Sequence, residues 1–328
     1  MTPRRLAASD IDGVTTIDEA IVGRSRRTYF EKRLEAALEN PALHVQFGVD
    51  RGGTLAGYVL ARRLAGEFGR VDPALRLEVV GVRPDAQGHG IGAALLAALG
   101  GWARDHDIRE IRTQASWRDH GMLRFFDRGG FELGRHQVMD AEVGAAQKSL
   151  DRRVEESARE EPEPSAEIDY SGAPRDDHEA LARDRVEVRL LAATDAREVA
   201  RIDRHLTGRD RSGYITQAVK EAIEGSAVRV SLIAKQDGIV TGFIMAKTDF
   251  GDYGRAEPVA VIDTLGVDPA FAKRGVGTAL LSQLLVNLTA LGVERVETVV
   301  SRENFALLGF LYAIGFGPSK RLGFVKAV

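Results

Sequence analysis

The chain has 328 residues and no cysteine; 44% of the residues are hydrophobic, 28% are charged, and the formal net charge is −3. This composition is typical of soluble globular protein, and the length predicts about two domains. The lack of cysteine excludes disulfides, thiolate metal sites and cysteine nucleophiles, and the near-neutral charge argues against a protein that binds nucleic acid.

The first 141 residues predict a mixed α/β order of elements. An apolar stripe that includes Phe30 and Leu34 indicates an early helix, and a long helix is expected over 93–104. Turn residues and apolar runs predict strands between the helices. These strands are expected over 43–49, 55–60, 77–82 and 108–115, and a last one after Gly130-Phe131.

The same order returns at a constant offset of 185 residues, so that residues 6–141 align with 191–326 without a gap. A period of this length indicates duplication of a whole domain, because solenoid repeats are much shorter. We therefore predict an N-terminal domain over residues 1–141 and a C-terminal domain over residues 185–328. A charged, proline-containing linker over residues 142–184 has no counterpart in the repeat.

Two connecting segments have weaker patterns. In the linker, Ala146 and Leu150 begin a thin apolar stripe that fits a lone helix, but we interpret the linker as a solvated segment. Residues 66–70 and 251–255 share the pattern Gly-acid-aromatic-Gly-Arg and predict a turn before the third strand. Their arginines, Arg70 and Arg255, are candidates for contacts between the domains.

A glycine-rich turn between a strand and a helix predicts a phosphate-binding cradle in each repeat. The first N–H groups of a helix have no partner within the helix and carry partial positive charge. Glycine before the helix lets a pyrophosphate approach the backbone. The candidate residues are Val82, Gln87, Gly88, His89, Gly90, Ile91 and Gly92 in the first repeat, and Val267, Lys273, Arg274, Gly275, Val276, Gly277 and Thr278 in the second.

Several other kinds of site are disfavoured. The first turn imitates a dinucleotide fingerprint, but Lys273 replaces its first glycine in the second repeat and no run of βαβ units precedes it. No P-loop motif, no Gly-x-Ser-x-Gly elbow and no metal-ligand spacing of histidines is present. There is no apolar run of about 18 residues and no signal-peptide pattern, so we expect a cytoplasmic protein without a membrane segment.

The turns and the order of elements resemble the GNAT superfamily of acyl-CoA-dependent N-acyltransferases. Its central signature is a strand that ends in Val-x-Pro, followed by Gln/Arg-x-x-Gly-x-Gly/Ala at the start of a helix. The first repeat fits from Val82 through Gln87, whereas the second has Ala272 where Gln or Arg is usual. A second signature, Asn before a helix that leads to Gly-Phe, matches Asn304; the first repeat has Asp119 there.

The resemblance implies an α/β (α+β) fold of two GNAT domains, each a mixed, mostly antiparallel sheet with flanking helices. It also implies internal pseudo-twofold symmetry that imitates a dimer, the chain itself being a monomer or a homodimer. The implied reaction transfers an acetyl group from acetyl-CoA to a primary amine of a small molecule or protein by direct attack. The turn and Asn304 would bind CoA, and its pantetheine arm would pair with a splayed strand edge.

The resemblance points to a carboxylate on the strand before the cradle as the base. Glu78 and Asp263 occupy equivalent positions there. A structural acid, bonded to backbone or to an arginine, is the alternative. The tyrosine that many members use as acid is replaced by Phe126 and Leu311, so the sequence leaves the proton donor for the thiolate open.

A Gly-Arg-x-Arg-x-x-Tyr pattern lies between the opening helices of both repeats, where the family places the acceptor. Arginine and tyrosine at these positions suit an acidic acceptor or a peptide. The alternative is a structural network with Asp18 or Asp203. The candidate substrate residues are Arg24, Arg26, Tyr29, Arg209, Arg211 and Tyr214.

Two further hypotheses stand beside a doubly active enzyme. The missing tyrosines suggest a non-catalytic regulatory protein that binds acyl-CoA, and duplication allows one active and one structural domain. The sequence leaves open the acceptor, the acyl chain length and the number of active domains.

Overall fold

The structure, a computed structural model, describes residues 2–64, 73–160, 186–224, 229–249, 252–254 and 258–328. The segment 66–70, Arg255 and the linker beyond residue 160 therefore lie outside the described residues. Among the described helices, none combines the length and the apolar character that a membrane crossing needs.

The first repeat alternates helices and strands in the predicted order. Its elements are β1 (Arg4–Arg5), α1 (Ile11–Val22), α2 (Arg27–Glu39), β2 (His44–Arg51), β3 (Thr54–Leu64), β4 (Ala74–Val82), α3 (Ile91–Asp105), β5 (Glu110–Ser116), α4 (His120–Arg128), β6 (Glu132–Leu133) and β7 (His136–Glu142). A further helix, α5 (Val143–Glu160), follows the repeat.

The second repeat has the same main elements, displaced by 185 residues except at the starts of its first two strands, which confirms the duplication. They are β8 (Glu187–Leu190), α6 (Ala196–Thr207), α7 (Ser212–Glu224), β9 (Leu232–Gln236), β10 (Ile239–Asp249), β11 (Val259–Val267), α8 (Val276–Ala290), β12 (Arg295–Ser301), α9 (Phe305–Ala313), β13 (Gly317–Pro318) and β14 (Arg321–Ala327).

The chain forms two compact units, each around its own sheet. Unit 1 contains Met1–Val138, Asp249–Pro258 and Ser319–Val328, and unit 2 contains Met139–Thr248 and Val259–Pro318. The strand order is β1-β2-β3-β4-β5-β14-β6 in unit 1 and β13-β7-β12-β11-β10-β9-β8 in unit 2. The pair β4–β5 is parallel in unit 1, as is β11–β12 in unit 2, and the other described pairings are antiparallel. The predicted mixed, mostly antiparallel sheet is confirmed.

Each repeat contributes its last strand to the sheet of the other unit. In unit 1, β14 pairs with β5 from Arg321↔Ser116 to Ala327↔Glu110. In unit 2, β7 lies between β13 and β12. The boundaries at residues 141 and 185 therefore mark the repeats, whereas the compact units exchange a strand across them.

Helices cover both faces of the sheet in unit 1. Successive residues of β3 point to opposite faces, so Val59 joins the core under α3 and Tyr58 joins the core under α1 and α2. In unit 2, α6 and α7 pack against Phe243 on one face, and α8 buries Leu280 and Leu284. The sheet of each unit is thus the middle layer of its own core.

Helix α5 occupies the first part of the segment that we interpreted as a solvated linker. Its side chains Ala146 and Leu150 are fully buried, and the helix contacts α8 in unit 2. The solvated interpretation is wrong for this part, because the thin apolar stripe is covered by protein. Residues 161–184 lie outside the described residues.

Equivalent ion pairs form at the start of the two repeats. Arg4 donates to both oxygens of Asp10 at 2.8 Å, and Arg189 donates to those of Asp195 at 2.8 and 2.7 Å. Hydrogen bonds from Arg4 are the main cause that lowers the pKa of Asp10. Burial acts to raise the pKa of Asp195, but bonds from Arg189 and from the N–H of Ala192 outweigh it and lower this pKa as well.

These lowered pKa values predict acid sensitivity. A carboxyl whose pKa is lower in the folded chain than in the unfolded chain stabilises the folded state. This stabilisation is complete at pH values above the unfolded pKa of about 3.9, and it is lost as the pH falls through the pKa of the folded chain. Below about pH 4 we expect the midpoint temperature of thermal unfolding to decrease as the pH is lowered. In Asp195→Asn we expect this decrease to be less steep. Calorimetry between pH 7 and 2 measures both curves. Parallel curves for the two proteins would contradict the assignment.

Candidate functional site

In unit 1 the glycine-rich turn has the backbone that a phosphate cradle needs. Strand β4 ends at Val82, and Gly90 is the N-cap of α3 with φ 80°. Gly88 is also left-handed, with φ 77°. A Cβ built at either glycine meets no atom within 4 Å, so the space above the turn is open. The first N–H groups of α3, which have no partner within the helix, therefore begin beside open space.

Unit 2 keeps the same backbone with a different sequence. Gly275 is the N-cap of α8 with φ 78°, and Lys273 adopts φ 63° where unit 1 has Gly88. A left-handed conformation costs a residue with a side chain about 1–2 kcal/mol. The second cradle thus keeps its shape although its first glycine is missing, and Ala272 has the same extended backbone as Gln87.

The predicted cradle side chains serve mainly to shape the turn. Gln87 donates to the carbonyl of Val82 at 3.2 Å, and Nδ1 of His89 lies 2.8 Å from the carbonyl oxygen of Gln87. Ile91 and Val276 are buried, so they can offer a ligand only their backbone N–H. The remaining predicted residues lie at the turn or in the first helical turn, and those that are exposed or half-buried are Val82, Gly92, Val267, Arg274, Gly277 and Thr278.

The strand before each cradle separates from its parallel neighbour. The described β4–β5 pairs are Leu75↔Ile111 and Arg76↔Arg112, and the described β11–β12 pairs end at Ile262↔Thr298. At the next position of unit 1, the hydroxyl of Thr113 donates to the carbonyl of Leu77 at 3.0 Å.

Unit 2 repeats this bond with Thr298 and the carbonyl of Ile262 at 3.1 Å. We call the point where each pair separates the fork. Sequence reasoning missed the two threonines, although the presence of threonine at the same position of both repeats was a signal.

A β-bulge lies at the fork of unit 1. In the β3–β4 ladder, Leu60 pairs with Val79 and Ala61 pairs with Leu77, so Glu78 is the extra residue. Leu77 packs in the core under α3, whereas Val79 packs in the core under α1 and α2. Because of the bulge, Leu77 and Val79 point to opposite faces of the sheet although they are two residues apart. Bulges near functional sites often redirect side chains in this way.

The two candidate carboxylates have different surroundings. Glu78 is 1% exposed; Arg33 lies against its Oε2, and Arg76 donates to its Oε1 at 3.0 Å. These contacts agree with the alternative that Glu78 is a structural acid bonded to arginine. Asp263, at the equivalent position directly beyond the fork of unit 2, is half-buried.

The predicted substrate residues divide into buried and exposed members. Nε of Arg26 donates to Asp18 at 2.8 Å, with side chains 4% and 3% exposed, and Nε of Arg211 donates to Asp203 at 2.9 Å. Both pairs have the geometry of a structural network. In contrast, Arg24 and Arg209 are exposed, and Tyr29 and Tyr214 are half-buried beneath the guanidinium groups of Arg26 and Arg211.

Breaking the buried pair gives a direct test of this assignment. We expect Arg26→Met to lower the free energy of unfolding by about 3–5 kcal/mol, because Asp18 would remain buried without its cation. The exposed Arg24→Met is the matched control, with a change within about 0.5 kcal/mol. Urea unfolding measures both. A stable Arg26→Met variant would contradict the structural role.

The second family signature forms a helix cap. Asn304 accepts from the N–H of Leu307 at 3.1 Å, and Asp119 accepts from that of Met122 at 2.9 Å. On the same helices, Phe126 and Leu311 are buried in place of the usual tyrosine, while Tyr312 is 48% exposed. No cluster of potential metal ligands occurs in the described part of the chain.

Comparison with known proteins agrees with this geometry. A sequence profile of the Acetyltransferase (GNAT) family matches residues 14–131 and 199–316. The structure is similar to a tandem GNAT protein from the clavulanic acid biosynthesis pathway, with a TM-score of 0.62 and 19% identity over 99% of this chain and 98% of that one.

GCN5-related N-acetyltransferases from Sphaerobacter thermophilus and Kribbella flavida are also similar. Their TM-scores are 0.54 and 0.53 at 16% and 15% identity. This chain is covered over 99% and 98%, and the other chains over 95% and 70%. At such identities the likeness shows the fold, whereas the profile covers most of both repeats. The chain belongs to the acetyltransferase (GNAT) family.

Proposed function

We propose that the protein is an N-acetyltransferase that transfers the acetyl group of acetyl-CoA to a primary amine of a small molecule or protein. One observation carries the proposal: in each unit an open cradle and a fork are joined by a stretch of strand. From Val82 to Leu77 this stretch spans roughly 16 Å. An extended chain can pair with it, as an added strand pairs with a sheet edge.

The residues of the chain would act in a simple order. N–H groups at the start of α3 and α8 hold the pyrophosphate, and the edge of β4 or β11 aligns the pantetheine arm toward the fork. Acetyl-CoA supplies an activated acyl group as a thioester. A carboxylate at the fork accepts a proton from the acceptor's ammonium, directly or through water. The amine nitrogen then bonds to the acyl carbon, the carbon–sulfur bond breaks, the thiolate leaves, and the nitrogen releases its remaining extra proton to the thiolate or to water.

One observation favours a second function. The helix positions where many family members carry an acidic tyrosine hold the buried Phe126 and Leu311. A protein without a proton donor for the thiolate fits a regulator that binds acyl-CoA and leaves it intact.

Two measurements on the intact chain separate these functions. Calorimetry with acetyl-CoA tests for binding, with two sites per chain as the expected result. Release of free CoA thiol is then followed with a panel of primary amines that includes amino acids, polyamines, amino sugars and lysine peptides. Binding followed by thiol release with an amine supports the enzyme. Binding without release for the whole panel favours the regulator, and no binding overturns both.

A further inference from the structure

We infer that the two cradles bind CoA differently: in unit 2, Lys273 and Arg274 hold the 3′-phosphate of the CoA ribose, whereas the turn of unit 1 has glycine and histidine at these positions. The inference rests on the proposed function, because it concerns the cofactor that both cradles are proposed to bind. It makes unit 2 the tighter of the two sites and the one that distinguishes CoA from 3′-dephospho-CoA.

The backbones of the two turns match. Gly88 and Lys273 adopt φ 77° and 63°, and Gly90 and Gly275, the N-caps of α3 and α8, adopt φ 80° and 78°. Because the N–H groups at a helix start follow the backbone, both cradles can hold a pyrophosphate in the same way. The difference between the two turns therefore lies in their side chains.

In unit 1 the turn presents a compensated pair of charges. Residues 83–89 contain two charged side chains, Arg83 and Asp85, and Nε of Arg83 donates to Asp85 at 2.6 Å. Nδ1 of His89 lies 2.8 Å from the carbonyl oxygen of Gln87, so this nitrogen carries the proton of the bond. In the neutral ring the other nitrogen is then an acceptor, which does not attract phosphate. A phosphate at this turn is thus left to the backbone N–H groups.

In unit 2 the equivalent turn presents two cations. Asp268, at its start, is 5% exposed and is paired with an arginine of α6. Lys273 and Arg274 are exposed, and in the described part of the chain neither has a hydrogen bond or an ion pair. The guanidinium of Arg274 lies over the ring of Phe271, 5.3 Å from its centroid, which positions this charge beside the turn.

The backbone of Lys273 indicates that its side chain has a role. A left-handed conformation strains a residue that has a side chain but suits glycine, which the first repeat has at this position. Strain of this kind persists mainly at functional sites. A Cβ at Gly88 meets no atom within 4 Å, so a side chain at this position of the turn enters open space. Packing therefore does not explain the lysine, whereas a bound anion does.

The 3′-phosphate is the group of CoA that these cations suit. CoA carries a pyrophosphate between its pantetheine arm and adenosine, and a separate phosphomonoester on the ribose. The backbone of both turns serves the pyrophosphate, which leaves the phosphomonoester, with a charge near −2 at pH 7, for the added cations of unit 2. One charge-assisted hydrogen bond contributes about tenfold or more in affinity. We therefore expect CoA to bind about tenfold more tightly to unit 2 than to unit 1.

Calorimetry of the intact chain with CoA and with 3′-dephospho-CoA tests the inference. CoA should show two sites that differ about tenfold in Kd, and dephospho-CoA should show two sites of similar Kd. The double variant Lys273→Gly/Arg274→His gives unit 2 the side chains of unit 1. It should make the two CoA sites alike and leave dephospho-CoA unchanged. The reverse variant, Gly88→Lys/His89→Arg, is the matched control and should tighten the weaker site for CoA alone.

The contrary outcomes are distinct. Equal weakening of both ligands in the double variant would place the cations at the pyrophosphate and overturn the inference, as would a tight CoA site that survives this variant. Two CoA sites of equal affinity in the unaltered chain overturn the inference alone. A chain that binds neither ligand overturns the proposed function and this inference with it.

Thermal unfolding separates a binding role from a folding role. Lys273→Gly removes the left-handed strain, so the midpoint without ligand should stay the same or rise by up to about 3 °C, while the affinity of unit 2 for CoA falls. Damage to the turn would lower both the midpoint and the affinity, and that result would overturn the inference.

Discussion

Gly90→Glu and Gly275→Glu are each expected to remove one acetyl-CoA site, with a loss of at least about 100-fold in affinity at the altered cradle. The new side chain would enter the open space above the turn, where a Cβ meets no atom within 4 Å. Its carboxylate would repel phosphate at the helix N-terminus, where N–H groups favour an anion. Calorimetry should record a fall from two sites to one in either variant.

Left-handed glycines elsewhere in the chain provide matched controls. Gly52 and Gly238 have φ 64° and 78°, and a Cβ at either position also meets no atom within 4 Å. Both lie in turns between consecutive strands of the sheets, at residues that form no part of the cradles. Gly52→Glu and Gly238→Glu therefore introduce the same backbone strain while leaving both cradles intact. If these controls lose acetyl-CoA as well, the effect is one of folding, and the cradle assignment fails.

Local pattern was enough to locate the elements and the cradles. Glycine at positions 88 and 90 allows the left-handed turn, and a helix follows where the apolar spacing predicts it. The fork could be expected only through the family resemblance. Its threonines, Thr113 and Thr298, are ordinary strand residues in sequence, and their bonds depend on the point at which two strands separate.

The role of Glu78 depends on a residue far away along the chain, because Arg33 comes from α2. A carboxylate in an apolar strand indicates that something compensates its burial, but a base and an ion pair satisfy that requirement equally well. For Arg26 the sequence likewise left open a substrate role or an ion pair with Asp18. The structure contains the ion pair, and Asp18 comes from the preceding helix.

Strand exchange is the feature that sequence could not supply. Strands β7 and β14 occupy the same position in their repeats, so the 185-residue offset is the same whether each strand stays in its own unit or crosses to the other. The choice depends on where β14 pairs, and all seven of its described partners in β5 belong to the other repeat. Pairing between residues about 200 positions apart leaves no local pattern.

The exchange predicts that the repeats cannot fold as separate chains. Residues 1–160 alone would leave β5 without β14, and Phe126 without Phe324, whose ring lies 5.5 Å away. An open central strand with an uncovered apolar core favours aggregation. We expect the fragments 1–160 and 186–328 each to be insoluble or unfolded when expressed alone, and to form a stable complex when expressed together.

The matched control is the full chain with a protease site placed within residues 161–185. After cleavage, the two pieces should elute together from a sizing column and unfold within about 5 °C of the intact protein, because the paired strands remain while only the covalent tether is lost. A soluble fragment 1–160 that unfolds cooperatively near the midpoint of the intact chain would contradict the exchange, since its last strand would then have to pair within its own repeat. Co-elution of the pieces combined with failure of each alone would support the exchange of β7 and β14, the strands by which each fragment completes the other sheet, together with the packing of α5 against α8.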